Sequence, residues 1–115
     1  MLTLYGIPNC DTVKKARAWL EQHGVDYQFH DYKKAGIDAA TLKRWCREFG
    51  HENVVNQRGT TWRKLSEAER SNLTETSAVR LMQEQPSLIK RPLADTGSRR
   101  LLGFSEECYQ SLLQL

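Results

Sequence analysis

Two short β-prone runs flank one amphipathic helical pattern within the first 32 residues, and this order constrains the fold more than any other feature. "LTLY" (2–5) predicts a strand that ends at a turn containing Gly6 and Pro8. "VDYQFHDY" (25–32) alternates and predicts a second strand. Between them, residues 11–23 have the period of a helix, and its predicted apolar face consists of Val13, Ala16, Trp19 and Leu20.

The middle of the chain is predicted to be mainly helical. Residues 52–65 have strand-like flanks around a glycine turn. Two further helices are predicted to start at Ser66 and Thr74, and only Ser66, with Glu69 three residues later, fits a capping box. Before these segments, residues 38–50 predict a helix with Asp38 as N-cap and an apolar stripe formed by Leu42, Trp45, Cys46 and Phe49.

The last 30 residues predict two strands and a closing helix. "SLIK" (87–90) and "RRLLGF" (99–104) are the strand candidates, with Gly97 in the hairpin before the second. The closing helix, "SEECYQSLLQL", has Phe104, Cys108 and Leu112 at a spacing of four. The full order, β-α-β-α, several helices and then β-β-α, predicts an α/β layered domain.

The size and charge of the chain exclude several classes of protein. Its 115 residues suit one domain, and no apolar run approaches the roughly 18 residues of a membrane span. Because the N-terminus also lacks a signal-peptide pattern, we expect a cytoplasmic protein without membrane contact. We also expect it to be a monomer. The net charge of +3 suits an anionic small substrate and does not by itself indicate nucleic acid. The three cysteines and three histidines lack metal-ligand spacing, so we expect no metal.

Cys10 is the candidate nucleophile. It follows the Gly-Pro turn and opens a predicted helix, where unpaired backbone N–H groups and the helix dipole favour a thiolate. Lys14, one turn later, adds a cation. The alternative is that Cys10 is a small buried residue without a chemical role. Cys46 and Cys108 each lie on an apolar stripe, so core packing is the better explanation for both.

No second cysteine follows Cys10 at the spacing of a redox pair, because Val13 occupies that position. A C-x-x-C enzyme resolves its own mixed disulfide, whereas this chain would need another thiol. Cys46 or Cys108 could serve only if one of them lies near Cys10 in the fold. Glutathione is the simplest external thiol for a cytoplasmic protein.

Two arginines have the chemistry to bind an anionic ligand. Arg58 precedes a glycine turn, and Arg91 precedes Pro92 at the end of a predicted strand. An arginine fork binds carboxylates or oxyanions, so these residues suit glutathione, which has two carboxylates, and arsenate equally. The alternative for each is a solvated or salt-bridged arginine. "RGTTWRK" (58–64) mixes basic and aromatic residues, but it is too short to predict direct nucleic-acid binding.

The chain resembles the arsenate reductase (ArsC)/Spx family, and within it the YffB-type subgroup, in the order and spacing of three segments. These segments are "LYGIPNCDTVKKARAWL", "NQRGTTWRKL" and "LIKRPL". The resemblance covers nearly the whole chain. It implies one α/β domain over residues 1–115: a thioredoxin-like (glutaredoxin-like) mixed four-stranded sheet with a helical insertion at approximately 36–85. It also implies that the Arg91–Pro92 bond is cis, that Cys10 is the single catalytic cysteine, and that glutathione and glutaredoxin supply electrons.

The chain departs from the arsenate reductases of this family at two positions. Of their three oxyanion-binding arginines, the first two correspond to Arg58 and Arg91, and Gly103 takes the place of the third. Gly6 replaces the histidine four positions before the cysteine, whereas the basic residue four positions after it is retained as Lys14. These departures count against arsenate as the substrate.

The sequence therefore predicts a glutathione-dependent thiol reductase with Cys10 as nucleophile and glutathione as co-substrate. We expect glutathione or a thiol or disulfide substrate to be bound by Asn9, Lys14, Arg58, Arg91 and Pro92. Arsenate reductase is the alternative enzyme, with glutaredoxin as a candidate partner. The non-enzymatic alternative is an Spx-like regulator that binds RNA polymerase, although regulators of that type commonly carry C-x-x-C at the position of Cys10.

Overall fold

A computed structural model describes residues 1–115, which divide into two compact units. The first unit comprises residues 1–32 and 91–115, and the second comprises residues 33–90. The predicted insertion, approximately residues 36–85, falls within the second unit. The helices are α1 (Asp11–Gln22), α2 (Tyr32–Ala35), α3 (Ala39–Phe49), α4 (His51–Val54), α5 (Thr60–Lys64), α6 (Glu67–Ser71), α7 (Glu75–Glu84) and α8 (Glu106–Leu113). None of them combines the length and the apolar character that a membrane crossing requires.

The first unit is built on a four-stranded mixed sheet in the order β2-β1-β3-β4. The strands are β1 (Leu2–Gly6), β2 (Tyr27–Asp31), β3 (Leu93–Asp95) and β4 (Arg100–Leu102). β1 pairs in parallel with β2, and β1 with β3 and β3 with β4 pair antiparallel. This topology, with helices inserted in sequence between β2 and β3, confirms the predicted α/β thioredoxin-like fold.

The core of the first unit follows from the two sequence periods. Alternate residues of β1 face one side of the sheet, and the apolar stripe of α1 covers them. Each large side chain buried in this way contributes about 1.5–3 kcal/mol to folding. The buried residues of this core are Leu2, Leu4, Ala16, Trp19, Leu20, Ala94 and Tyr109. Three of the four α1 residues predicted for the apolar face belong to it. The fourth, Val13, is also buried but lies outside this cluster.

The second unit is helical where strands were predicted. Residues 52–65 contain the end of α4 and all of α5, so the prediction of strand-like flanks is wrong. The β-branched Val54 and Val55 favour a strand by propensity. Instead, their backbone N–H groups donate to the carbonyls of Gly50 and His51, both at 3.1 Å, which continues the chain as a helical turn.

The prediction of a third strand over residues 87–90 is also wrong. Residues Pro86–Leu88 form a 3₁₀ turn, and Ile89 contributes only an isolated antiparallel bridge to Val55. The third strand is β3, which begins at Leu93 after the proline. By contrast, the fourth strand is confirmed as β4, and Gly97 in the preceding hairpin has φ +97°.

Both predicted helix starts in the second unit are correct, but the distinction drawn between them is not. Ser66 and Glu69 form the predicted capping box. Thr74 forms one as well: its hydroxyl accepts from the Ser77 N–H at 3.2 Å, and the Ser77 hydroxyl accepts from the Thr74 N–H at 2.9 Å. At the third helical position a serine hydroxyl therefore accepts the N-cap N–H, a role that a glutamate or glutamine side chain usually has in a capping box.

Candidate functional site

Cys10 is the N-cap residue of α1, as the sequence predicts for its position. Its backbone is extended, with φ −121° and ψ 127°, and its carbonyl accepts the Lys14 N–H at 2.9 Å. The side chain is half-buried and makes no capping hydrogen bond. The thiol therefore lies at the positive end of a 12-residue helix, beside N–H groups that have no partner within the helix.

The turn that carries Cys10 depends on a close approach between β1 and α1 at Gly6. This glycine is buried, and a Cβ built on it would lie 2.8 Å from Val13 Cγ2. Atoms at that distance overlap, so a side chain at position 6 requires the fully buried Val13 to move. A side chain at position 6 would therefore disturb the packing behind the candidate nucleophile.

Asn9 and Lys14 flank Cys10 in the sequence, and both are exposed. Asn9 precedes the cysteine in the turn, and Lys14 lies one helical turn beyond it. Both side chains are therefore open to solvent, and their roles in ligand binding stay predictions. Asp11 places one carboxylate in the same first turn.

Arg91 and Pro92 join the two units in sequence and begin the return to the sheet. The Arg91–Pro92 bond is cis, which confirms the prediction. Pro92 is buried, and its carbonyl accepts the Gly103 N–H at 2.8 Å. Arg91 is half-buried, with its Nε atom buried. Arg91 can therefore bind an anion only through its two terminal nitrogens, Nη1 and Nη2, where these reach past the buried Nε atom.

Sequence reasoning missed an aromatic cluster on the face of the sheet opposite the core. The Tyr5 and His30 rings are 4.9 Å apart, and each lies 6.3 Å from the Tyr32 ring. Burial raises the pKa of Tyr32 far above its ordinary value, Tyr5 adds to the rise, and the positive charge of Arg91 opposes it. The sequence contains a signal for this cluster. Tyr5 follows the core residue Leu4 along β1, so its side chain is expected on the opposite face of the sheet.

Arg58 belongs to the second unit and lies on the loop between α4 and α5. It is exposed and lines a groove of about 340 Å³. Lys90, which the sequence analysis did not single out, lines the same groove. The action of Arg58 together with Cys10 stays a prediction of the sequence.

The other two cysteines have different environments, and one prediction about them is wrong. Cys46 is buried, as predicted. Burial raises the pKa of Cys46 to about 11, and the carboxylates of Glu75 and Glu52 add to the shift, so this thiol stays protonated near neutral pH. Cys108 is exposed instead of buried. Ser105 caps α8 in a register that buries Tyr109 and turns Cys108 outward. All three thiols are free.

Gly103 and its neighbours do not supply a third arginine. Gly103 has φ +90°, a conformation that suits glycine and strains other residues. Arg99 and Arg100 lie four and three positions before Gly103, and both are engaged locally. Arg99 Nη2 donates to the Leu112 carbonyl at 3.3 Å, and Arg100 Nη1 lies 3.7 Å from Asp95 Oδ1. The structure contains no group of three or more His, Cys, Asp or Glu side chains that could hold a metal ion.

Comparison with known proteins agrees with this architecture. Residues 5–112 match the ArsC family. A YffB protein of known structure is 52% identical, with a TM-score of 0.93 over 96% of this chain and 97% of that one. An arsenate reductase (ArsC) related protein from Brucella melitensis is 50% identical, with a TM-score of 0.78 over 99% of this chain and 95% of that one.

A further relative carries a regulatory name. The global transcriptional regulator Spx of Streptococcus agalactiae is 30% identical over 115 residues, which cover 98% of this chain and 83% of the regulator. The match over nearly the whole length, together with the fold, confirms the resemblance predicted from the sequence. The chain belongs to the ArsC family.

Proposed function

We propose that the protein is a glutathione-dependent thiol reductase in which Cys10 is the only nucleophilic sulfur. The observation that carries the proposal is the half-buried Cys10 thiol at the N-terminus of α1, without a second cysteine in the same turn. Membership in a family that includes an arsenate reductase related protein supports oxidoreductase chemistry.

The proposed reaction reduces a mixed disulfide between glutathione and a second thiol. The Cys10 thiolate attacks the glutathione sulfur, a Cys10–glutathione disulfide forms, and the substrate thiolate leaves and takes a proton from solvent. A second glutathione, as its thiolate, then attacks the glutathione sulfur on Cys10. This step releases the Cys10 thiolate and oxidised glutathione. The net reaction is R–S–SG + GSH → R–SH + GSSG: the substrate sulfur is reduced to a thiol, and oxidised glutathione forms from the substrate's glutathionyl group and the added glutathione.

An external resolving thiol is favoured because the remaining cysteines are poorly suited. Cys46 is buried, and its pKa of about 11 keeps it protonated, so it is a weak nucleophile near pH 7. Cys108 is an exposed free thiol on α8 and forms no disulfide with Cys10. Glutathione needs neither of them.

The residues that bind the ligand are proposed as the sequence predicted them. Lys14 and the helix terminus stabilise negative charge on sulfur, Asn9 borders the approach to Cys10, and Pro92 shapes the wall beside Arg91. Arg91 and Arg58 bind anionic groups of the ligand. We also propose that the protein is a cytoplasmic monomer and that glutaredoxin is an additional electron donor to it.

Mass spectrometry after incubation with oxidised glutathione tests the role of Cys10. The wild-type protein should gain one glutathionyl group, and Cys10→Ser should gain none. Cys108→Ser is the matched control, since it removes an exposed thiol and should be labelled like the wild type. Equal labelling of the wild type and Cys10→Ser would refute the assignment.

Arsenate reduction is the second candidate, supported by the 50% identity to the Brucella melitensis relative. Gly6 and Gly103, in place of a histidine and an arginine, count against it. An assay with arsenate, glutathione and glutaredoxin decides the point, and sustained turnover would reverse the ranking.

An Spx-like regulatory role is the third candidate, supported by 30% identity to the Streptococcus agalactiae regulator. The absence of C-x-x-C at Cys10 counts against it. Purified RNA polymerase retained on the immobilised protein would favour this role, and catalytic thiol exchange without such retention would exclude it.

A further inference from the structure

We propose that the groove in the second unit is a carboxylate-binding subsite for the C-terminal end of a small peptide ligand. This inference rests on the proposed function in taking a glutathione-type peptide as that ligand. We call the site the Lys90 groove, and its volume is about 340 Å³. Its lining consists of Glu52, Asn53, Val55, Asn56, Gln57, Arg58 and Lys90.

Backbone pairing brings Lys90 to the loop that carries Arg58, although 31 positions separate the two in the sequence. Val55 and Ile89 form an antiparallel bridge. On either side of it, the Asn56 N–H donates to the Leu88 carbonyl at 2.7 Å, and the Lys90 N–H donates to the Val54 carbonyl at 2.8 Å. These hydrogen bonds fix the base of the lysine beside the loop.

Side-chain hydrogen bonds hold the loop itself. Asn56 Oδ1 accepts the Arg58 N–H at 3.2 Å, and Gln57 Nε2 donates to the Glu52 carbonyl at 3.2 Å. At Gly59 a Cβ would lie 2.9 Å from Asn56 Nδ2, so the absence of a side chain there lets the loop close. A loop ordered in advance loses less entropy when a ligand binds.

The charge of the groove favours an anion. Arg58 and Lys90 contribute two positive charges, and the single carboxylate, Glu52, lies 3.5 Å from His51 Nδ1. The surrounding unit is basic as well. Residues 33–90 contain eleven lysines and arginines and seven acidic residues, whereas the rest of the chain contains six and seven. The excess positive charge of the protein therefore lies in the unit that contains the groove.

The remaining lining residues favour a peptide over a simple oxyanion. Asn53, Asn56 and Gln57 present side-chain amides, each of which uses one end within the protein: Asn53 Nδ2 donates to the Phe49 carbonyl, and Asn56 Oδ1 and Gln57 Nε2 hold the loop. Their other ends, Asn53 Oδ1, Asn56 Nδ2 and Gln57 Oε1, can accept from or donate to the amide groups of a peptide. An arginine fork matches a carboxylate, and a lysine adds a point charge. The groove volume lies at the lower end of the range for small-molecule sites, about 300–1,000 Å³. A short peptide with a free terminal carboxylate satisfies these conditions together.

Titration with S-methylglutathione tests the groove without thiol chemistry, because the blocked sulfur cannot react with Cys10. Affinity is measured by calorimetry, and the site by amide shifts in ¹H–¹⁵N NMR spectra. We expect Arg58→Gln to weaken binding about tenfold and Lys90→Gln about three- to fivefold. Glu52→Gln should tighten binding about two- to threefold, since it removes the one negative charge from the lining.

Two controls separate charge recognition from a general effect of charge or folding. Lys43→Gln removes one positive charge from an exposed residue of the same unit that does not line the groove, and it should bind like the wild type. A ligand whose glycine carboxylate is converted to an amide should lose about as much affinity as Lys90→Gln. Shifts should concentrate in residues 52–58 and at Lys90.

Several results would overturn the inference. They are equal affinity of Lys90→Gln and the wild type, equal weakening by Lys43→Gln, weaker binding by Glu52→Gln, or no binding of S-methylglutathione by the wild type. None of these bears on whether Cys10 accepts a glutathionyl group. Conversely, a wild-type protein that gains no glutathionyl group at Cys10 would refute the reductase proposal. The affinities measured for the Lys90 groove would still test the subsite, because S-methylglutathione does not react with Cys10.

Discussion

Replacement of Gly6 by alanine tests the packing that positions Cys10. The added Cβ would lie 2.8 Å from Val13 Cγ2, 3.4 Å from Val13 Cγ1 and 3.7 Å from Phe29 Cε1. Val13 is fully buried, so its methyl groups cannot turn into solvent. Overpacking of this kind costs about 1–3 kcal/mol. Gly6 is not among the glycines with positive φ, so its backbone accepts alanine. Without the contact, the change would stabilise the protein by about 0.4–1 kcal/mol.

The sign of the effect is therefore diagnostic, and a double-mutant cycle identifies its cause. Urea denaturation followed by circular dichroism should give Gly6→Ala a free energy of unfolding lower by about 1–3 kcal/mol. Val13→Ala removes two buried methyl groups and should cost about 1–3 kcal/mol. In the double variant the atoms that meet the new Cβ are gone, so the two losses should not add. A stabilised Gly6→Ala, or additivity within about 0.5 kcal/mol, would refute the reasoning.

Three other predictions concern stability. Tyr109→Phe should leave the midpoint of thermal unfolding unchanged or raise it slightly, because the buried Tyr109 hydroxyl has no hydrogen-bond partner; a fall would show that the hydroxyl is bonded. Thr74→Ala should lower the free energy of unfolding by about 1 kcal/mol through loss of the capping box with Ser77, as measured in urea. A raised pKa for Cys46 means that unfolding releases a proton once the pH exceeds 9.0, so stability should fall as the pH rises from there towards 11. Cys46→Ala should flatten this fall between pH 9 and 10, whereas Cys108→Ala should not.

The sequence predicts the sheet-forming unit well because its signals are local. The period of 2 in β1 and β2 and the period of 3.6 in α1 are each complete within a dozen residues. The apolar residues of these patterns are buried in β1 and α1, and Tyr27 and Phe29 of β2 are partly buried. Cys10 is predicted at the N-terminus of α1 for the same reason. A turn residue stands before it and an amphipathic pattern stands after it.

Prediction fails where long-range pairing decides local structure. Val54 and Val55 look like part of a strand, but one bridge to Ile89 is all the β-structure that they form. The same bridge creates the Lys90 groove, which no local pattern could indicate. The error at Cys108 has a different cause. A stripe spaced at four can shift by one position, and the buried Tyr109 next to it takes the place in the core.

Gly6 and Gly103, where the sequence resemblance implies a histidine and an arginine in the arsenate reductases, are constrained for different physical reasons. At Gly103 there is space, since no atom lies within 4 Å of an added Cβ, but φ +90° strains any other residue by about 1–2 kcal/mol. At Gly6 the backbone is permissive, and the space is filled by Val13. Restoration of the arginine alone strains the turn that the Gly103 N–H ties to the Pro92 carbonyl, and restoration of the histidine alone displaces the core behind Cys10. Both glycines are thus part of the packing of this fold, so a larger residue at either position lowers stability.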